Sequence, residues 1–320
     1  MRALINGLGG FTGGHLAEYL LAQTDFDVWG CGLSPVLQTD LSNSVHYRSI
    51  DLRDPVATIE LIQEAQPERI YHLAGLAAVH ASWEDPWGTL EGNVRPMMNT
   101  LEAVRHLNLA CRIMVVTSME VYGQVESSEL PLKETQTFRP NSPYGASKVA
   151  QDLVGLSYFL SHDMHIVRVR PLNFIGPRQS DQFVATAFAR QIARIETGLQ
   201  SPTLRVGTLS ARRDFTDVRD MVRAFYLALE HCHPGLAYNI ASGQVYSIQS
   251  LLDQLLALTT TQVSVEVDPD RLRASGTPTL VADCTRFKTV TGWRPEIPFE
   301  TTIRDLLDYE RECTVLEKEQ

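Results

Sequence analysis

The chain has 320 residues, 44% hydrophobic and 21% charged, a composition that suits a globular protein with a large buried core. Its formal net charge of −10 argues against non-specific binding to nucleic acid or to an anionic membrane, since both need clustered cations. No apolar run approaches the roughly 20 residues needed to span a bilayer.

Residues 2–7, RALING, read as a buried strand, followed by a helix through HLAEYLLAQ. Between them Gly7, Gly10 and Gly13 give a G-x-x-G-x-x-G spacing. A tight strand-to-helix turn needs residues without a Cβ, and a dinucleotide pyrophosphate needs close approach to that backbone and to the helix N-terminus. The alternative is a glycine-rich turn that only packs a helix on a strand. The first apolar run leads straight into this loop, so no secretory signal is expected.

DVWGCGL reads as a second strand. Its end lacks both an acidic residue for a ribose 2′-hydroxyl and an Arg for a 2′-phosphate. Ser34 suits either, which leaves NAD and NADP both open. Asp51, in SIDLRD, reads equally as an adenine contact or as a solvated loop carboxylate. PVATIELIQEA has helical spacing, RIYHLAG is a third strand, a loop rich in Trp, Pro and Gly follows, and a helix is expected over 93–107.

RIMVVTS is a fourth strand, and the segment after it carries SPYGASKVAQD. The chain holds 10 Tyr and 4 Lys, so a Tyr-x-x-x-Lys pair arises by chance only about 0.1 times. Tyr144 and Lys148 share one helical face at i, i+4. A nearby ammonium favours the phenolate and is expected to lower the Tyr144 pKa from its ordinary value. Ser118, with Thr117 beside it at the end of the preceding strand, supplies a hydroxyl to hold a substrate oxygen.

HIVRVRPLN is a further strand, and beyond residue 173 helices over 183–198, 218–230, 248–258 and 301–311 alternate with short strands. This predicts an α/β fold, a doubly wound parallel Rossmann sheet over 1–175 with a smaller C-terminal α/β lobe over 176–320. Some segments of the lobe are expected to return to the first domain. Of 28 cations 24 are Arg, which suits bidentate recognition of phosphate. Five widely spaced cysteines argue against a disulfide framework and make a reducing cytoplasm the simpler setting. His231, Cys232 and His233 are adjacent in sequence and so point apart on a helix; no metal is expected there.

These motifs together resemble the extended short-chain dehydrogenase/reductases that act on nucleotide sugars. The matching residues are GLGGFTG, YHLAG, Ser118 and YGASK. The resemblance implies Tyr144 as acid–base, Lys148 as its tuner and Ser118 as third member, with Asn93 and Asn173 bordering the site. It implies cofactor contacts from Gly7, Gly10, Phe11, Thr12 and Gly13, from Asp51, Leu52, Leu73, Ala74 and Gly75, and from Thr117, Tyr144, Lys148 and Pro171, to bound NADP or NAD.

The C-terminal half is similar to the GDP-sugar branch: the GDP-4-keto-6-deoxy-D-mannose reductases that form GDP-D-rhamnose, and the GDP-mannose 4,6-dehydratases. By that similarity Asn173, Arg178, Arg190, Arg213 and Arg273 meet the nucleotide sugar; the alternative for a loop Arg is a surface ion pair. Two positions depart from the pattern: Phe174 where relatives often have His, and Gly276 where they commonly have Glu. Both reactions use Tyr144. A dehydratase also needs a C5 base, which the resemblance puts at Glu120, although reductases carry an acidic residue there too.

The chain lacks the dehydratases' Arg-Arg-Ser-Ser stretch after the second strand, which favours the reductase. A 4-epimerase, a 4-dehydrogenase or a binding module without chemistry are the other readings; the module would have eroded the Tyr–Lys–Ser set, which is intact. The family also implies a homodimer through the 93–107 and 144–162 helices.

Overall fold

The computed structural model describes residues 1–37, 40–272 and 280–319. Strands β1 (Arg2–Asn6), β2 (Asp27–Gly32), β3 (His46–Ser49), β4 (Arg69–His72), β5 (Arg112–Val116) and β6 (Ile166–Pro171) form in turn. Helices α1 (Phe11–Gln23), α2 (Pro55–Ala65), α3 (Ala81–Glu84), α4 (Pro86–His106) and α5 (Pro143–His162) connect them. The chain then leaves the sheet through β7 (Phe174–Ile175), α6 (Val184–Glu196), β8 (Thr203–Val206), β9 (Arg212–Asp214) and β10 (Thr216–Asp217). It returns as α7 (Val218–His231) and β11 (Ala237–Ile240). β12 (Val245–Ser247), α8 (Ile248–Ala257), β13 (Ser264–Val267), α9 (Thr285–Thr291) and α10 (Phe299–Glu319) follow.

Seven strands pair in parallel in the order β11-β6-β5-β4-β1-β2-β3. The chain reverses its direction of travel across the sheet between β1 and β4, and this opens a crevice at the strands' C-terminal ends. Alternate side chains serve opposite faces. Ala3 and Ile5 pack with Leu16 and Leu20 of α1 and Met221 and Phe225 of α7, whereas Leu4 packs with Leu61 of α2 and Met97 and Leu101 of α4. β6 is buried along its whole length, as an inner parallel strand covered on both faces should be.

β3 escaped the sequence reading for a physical reason. Its residues HYRS are mostly exposed, so the apolar signal of an inner strand is missing; polar side chains on an outer strand discourage edge pairing. α4 begins at Pro86, well before the expected 93, because Asp85 caps it by accepting from the Gly88 N–H and Pro86 fits its first turn. The same device starts α5, where Ser142 caps Gly145 and Pro143 follows.

A second core lies among α6, α8 and α10, with Phe188, Ile192, Leu252, Leu255, Ile303 and Leu307 in contact around Leu204 of β8. A smaller cluster of Met119, Val121, Leu132, Leu172 and Leu280 anchors the segment after β5. Among the described residues no helix is long and apolar enough to cross a membrane.

Candidate active site

The glycine loop closes the crevice from below. Gly7 has φ +90°, and a Cβ there would lie 3.0 Å from the Ala74 amide nitrogen, so neither its conformation nor its neighbour admits a side chain. A Cβ on Gly13 would lie 2.6 Å from the Leu8 Cα, which is how α1 comes close enough to β1 to present its N-terminus. Gly10 caps α1 without a side-chain bond and the first turn carries no acidic residue, so these N–H groups face the crevice uncovered.

Above the loop is a cavity of about 350 Å³. Gly7, Gly10, Phe11, Thr12 and Gly13 line one end, and Leu73, Gly75, Thr117, Ser118, Tyr144, Lys148 and Pro171 line its middle. Ala74 is partly buried against the core behind it, where Leu52 is buried, with a carbonyl that accepts from Asn99 and Thr58. The Asp51 carboxylate is bridged by the Arg53 guanidinium at 2.6–3.1 Å, and those bonds hold it below the usual carboxylate range. Neither Asp51 nor Leu52 lines this cavity. The Ser34 hydroxyl is engaged in its own turn, donating to the Val36 carbonyl at 2.7 Å.

Tyr144 is only 7% exposed and its hydroxyl shares a hydrogen bond with Ser118, whose Oγ also accepts from the Glu120 N–H at 3.1 Å. Burial pushes the Tyr144 phenol up to about 12, opposite to the lowering expected from a neighbouring ammonium. The rise comes from the phenol's own burial, which the Ser118 hydrogen bond opposes and the Glu120 carboxyl reinforces; Lys148 is buried as well, which pushes its amine down to about 8. The Lys148 Nζ stands over the Tyr144 ring, 5.8 Å from its centroid, and donates to Val116 O at 3.2 Å and Gln151 Oε1 at 2.8 Å. Tyr144 is thus held as a proton-bearing acid.

Asn93 ties the surrounding elements together. Its Oδ1 accepts from the Leu76 N–H at 2.6 Å and its Nδ2 donates to Ser147 Oγ at 2.8 Å, joining the loop after β4 to α4 and α5. A Cβ on Gly75, at φ +154°, would fall 2.6 Å from that Oδ1. Beneath, the Asp152 carboxylate receives Arg168 and Arg170 of β6, and Thr117 Oγ1 reaches it at 3.5 Å.

A wider cavity of about 760 Å³ continues outward and shares Glu120, Asn173, Val184 and Phe215 with the first. Glu120 therefore stands at the junction, where burial raises its carboxyl and Arg213 of β9 opposes the rise. Arg213 and Arg271 line this outer cavity, with Trp83 and His80 at its rim. Arg178 is elsewhere: its guanidinium makes two 2.6 Å bonds to Glu18 on α1, away from both cavities. Arg190 pairs with Glu310 and Asp181 in an adjoining groove. Arg273 and Gly276 lie outside the described residues.

Phe174 stacks on Phe11 with centroids 6.0 Å apart, making the aromatic wall where relatives were expected to place a His. Gln151, Arg271, Trp83 and Gln179 were not foreseen. Arg271 and Trp83 have no motif around them, and Gln179 reaches the inner cavity only because its amide folds back to donate to Phe174 O at 3.0 Å.

A glycine cradle at the switch point, with a buried Tyr–Lys–Ser cluster over it, defines a short-chain dehydrogenase/reductase of the extended, nucleotide-sugar class. Within that class the chain belongs to the family whose model is described as GDP-mannose 4,6 dehydratase, which matches residues 4–306. It is 34% identical over 306 residues to a GDP-6-deoxy-D-mannose reductase of Pseudomonas aeruginosa, covering 96% of each chain. It is 27% identical over 341 residues to a human GDP-mannose 4,6 dehydratase, covering 95% of this chain and 90% of the other. The solved structure of RMD from Pseudomonas aeruginosa complexed with NADPH superposes with a TM-score of 0.86 at 32% identity, over 98% and 99% of the chains. A Thermus thermophilus UDP-glucose 4-epimerase in complex with NAD gives 0.85 at 28% identity, over 97% and 99%.

Proposed function

We propose that the protein reduces the C4 keto group of a GDP-linked 4-keto-6-deoxy sugar, converting GDP-4-keto-6-deoxy-D-mannose to GDP-D-rhamnose with NADPH or NADH. The observation that carries this reading is Tyr144, a buried phenol that keeps its proton and lines the inner cavity beside Ser118. A reductase needs such an acid, whereas a phenolate would suit oxidation. The similarity to the Pseudomonas reductase, over nearly all of both chains, supports the choice.

The glycine cradle fits a nicotinamide dinucleotide, since its backbone is bare and the α1 N-terminus is open to an anion. Residues 10–13 would hold the pyrophosphate, and Lys148 the nicotinamide ribose hydroxyls. When bound, the cofactor supplies the hydride to C4. Ser118 and Tyr144 hold the ketone oxygen, and Tyr144 passes its phenolic proton to that oxygen as C4 is reduced. The Lys148 ammonium meets the charge left on the phenolate. In the outer cavity Arg213 and Arg271, on the lobe that follows residue 175, would bind the diphosphate, and Asn173, just before it, the sugar.

A dehydratase is the second reading, and Glu120 is the observation that favours it. Its carboxyl lines both cavities, and a raised proton affinity suits a general base. Incubation of the purified protein with GDP-mannose and oxidised cofactor, and separately with the preformed keto sugar and NAD(P)H, separates the two. The expected result is cofactor oxidation only with the keto sugar; formation of a 4-keto-6-deoxy product from GDP-mannose would overturn the reductase reading.

The α4–α5 face supports a homodimer. Trp87 is 80% and Leu160 70% exposed, and Met98 and Leu153 stand out on the same two helices. An apolar surface of this kind on two neighbouring helices suits a four-helix bundle between copies. Sedimentation should give a dimer that Leu160→Glu weakens; a monomeric wild type at micromolar concentration would end the idea.

A further inference from the structure

Gln151 is fully buried on α5, one turn beyond Lys148. Its Oε1 accepts from the Lys148 Nζ at 2.8 Å, and its Nε2 donates to the Asn93 carbonyl of α4 at 2.8 Å. An amide nitrogen can only donate and an amide oxygen can only accept, so these two bonds fix which end faces the lysine. Lys148 has three N–H bonds. Val116 O and Gln151 Oε1 take two, which directs the third toward the cavity that Tyr144 and Lys148 line.

We propose that Gln151 is a positioning residue for the reaction: its carboxamide clamps the Lys148 ammonium against α4 and favours its charged form. This rests on the reading of Tyr144 and Lys148 as the acid–base couple. Burial works against the charged amine, and an oriented acceptor dipole at hydrogen-bond distance works for it. Both acceptors on Nζ are neutral.

The other titratable groups around Lys148 are accounted for from each packed element. Tyr144 on α5 keeps its proton, and Glu120 after β5 faces Arg213 and Tyr144. His72 of β4 is driven well down by burial and by Lys148 itself, so it remains neutral. Asp152, one residue on, is committed to Arg168 and Arg170. The Gln151 dipole is therefore the adjustable contact on the ammonium.

The test uses Gln151→Leu and Gln151→Glu. With 4 lysines in the chain, ε-¹³C-lysine labelling gives a simple spectrum, and Lys148→Arg assigns the signal. Removing the acceptor should move the Lys148 midpoint down by about 1 pH unit, and a carboxylate in its place should move it up by about as much. If turnover requires the ammonium, activity is lost as pH rises through that midpoint, so the alkaline limb of kcat moves the same way in each variant.

Opposite shifts from two substitutions at one position are not what loosened packing produces. Unchanged midpoints, or shifts of the same sign, would overturn the proposal. The Glu variant keeps the side chain's size and serves alone if the Leu variant does not fold. Opposite shifts in a protein that turns over no keto sugar would reject the reductase reading and leave the Gln151 clamp standing.

Discussion

Replacing Tyr144 with Phe is expected to lower turnover by about 10²–10⁴-fold, the usual worth of a positioned proton donor, while the fold and nicotinamide binding survive. Phe keeps the ring that fills this buried site and removes only the hydroxyl bonded to Ser118. Ser118 Oγ retains the Glu120 N–H as a partner, so no buried polar group is left alone. Lys148 keeps both of its acceptors, and the residues lining the glycine end of the cavity are untouched. The loss should fall on kcat, because the phenolic proton matters when charge builds on the ketone oxygen. Fluorescence titration with NADPH checks binding, and single-turnover reduction of the keto sugar checks chemistry. Turnover near the wild-type rate in a variant that still binds cofactor would remove Tyr144 from the mechanism.

The parts of this site that sequence made legible are the parts with local signals. Gly7, Gly10 and Gly13 announce a backbone that a Cβ would obstruct, and Tyr144 with Lys148 announces one helical face. What sequence hid are pairings across distance. Arg178 sits in the stretch NFIGPRQ, which reads as a substrate loop, yet its charge is met by Glu18, 160 residues earlier. Gln151 looks like any polar helix residue until α4 brings the Asn93 carbonyl against it. The direction of the Tyr144 shift is hidden too. The i, i+4 spacing reveals the lysine but says nothing of how deeply both groups are buried, and burial outweighs their proximity.

Asp152→Asn is expected to cost about 3–5 kcal/mol of stability, the range for removing one partner from a buried ion cluster. Asp152 is fully buried; its Oδ2 accepts from Arg170 Nε at 2.7 Å, its Oδ1 accepts from Arg170 Nη2 at 2.9 Å, and Arg168 donates to it as well. An amide of the same shape has one acceptor oxygen and no charge, so two guanidinium groups are left with too little to meet them. Neither can escape to water. Arg170 is pinned by the Tyr122 hydroxyl at 2.9 Å and by the Phe138 ring, 4.7 Å from centroid to guanidinium carbon. Arg168 is held by the Gly235 carbonyl at 2.8 Å. Denaturant unfolding measures the loss, with Glu64→Gln as control. Glu64 pairs with Arg48 on the surface, about half exposed on both sides, where a salt bridge is worth about 0–1 kcal/mol. Equal losses in the two variants would mean that the buried cluster does no more than the exposed pair. A larger loss in Asp152→Asn alone should also lower activity, because Thr117, next to Ser118, reaches the same carboxylate and joins the catalytic helix to the strand end that carries the serine.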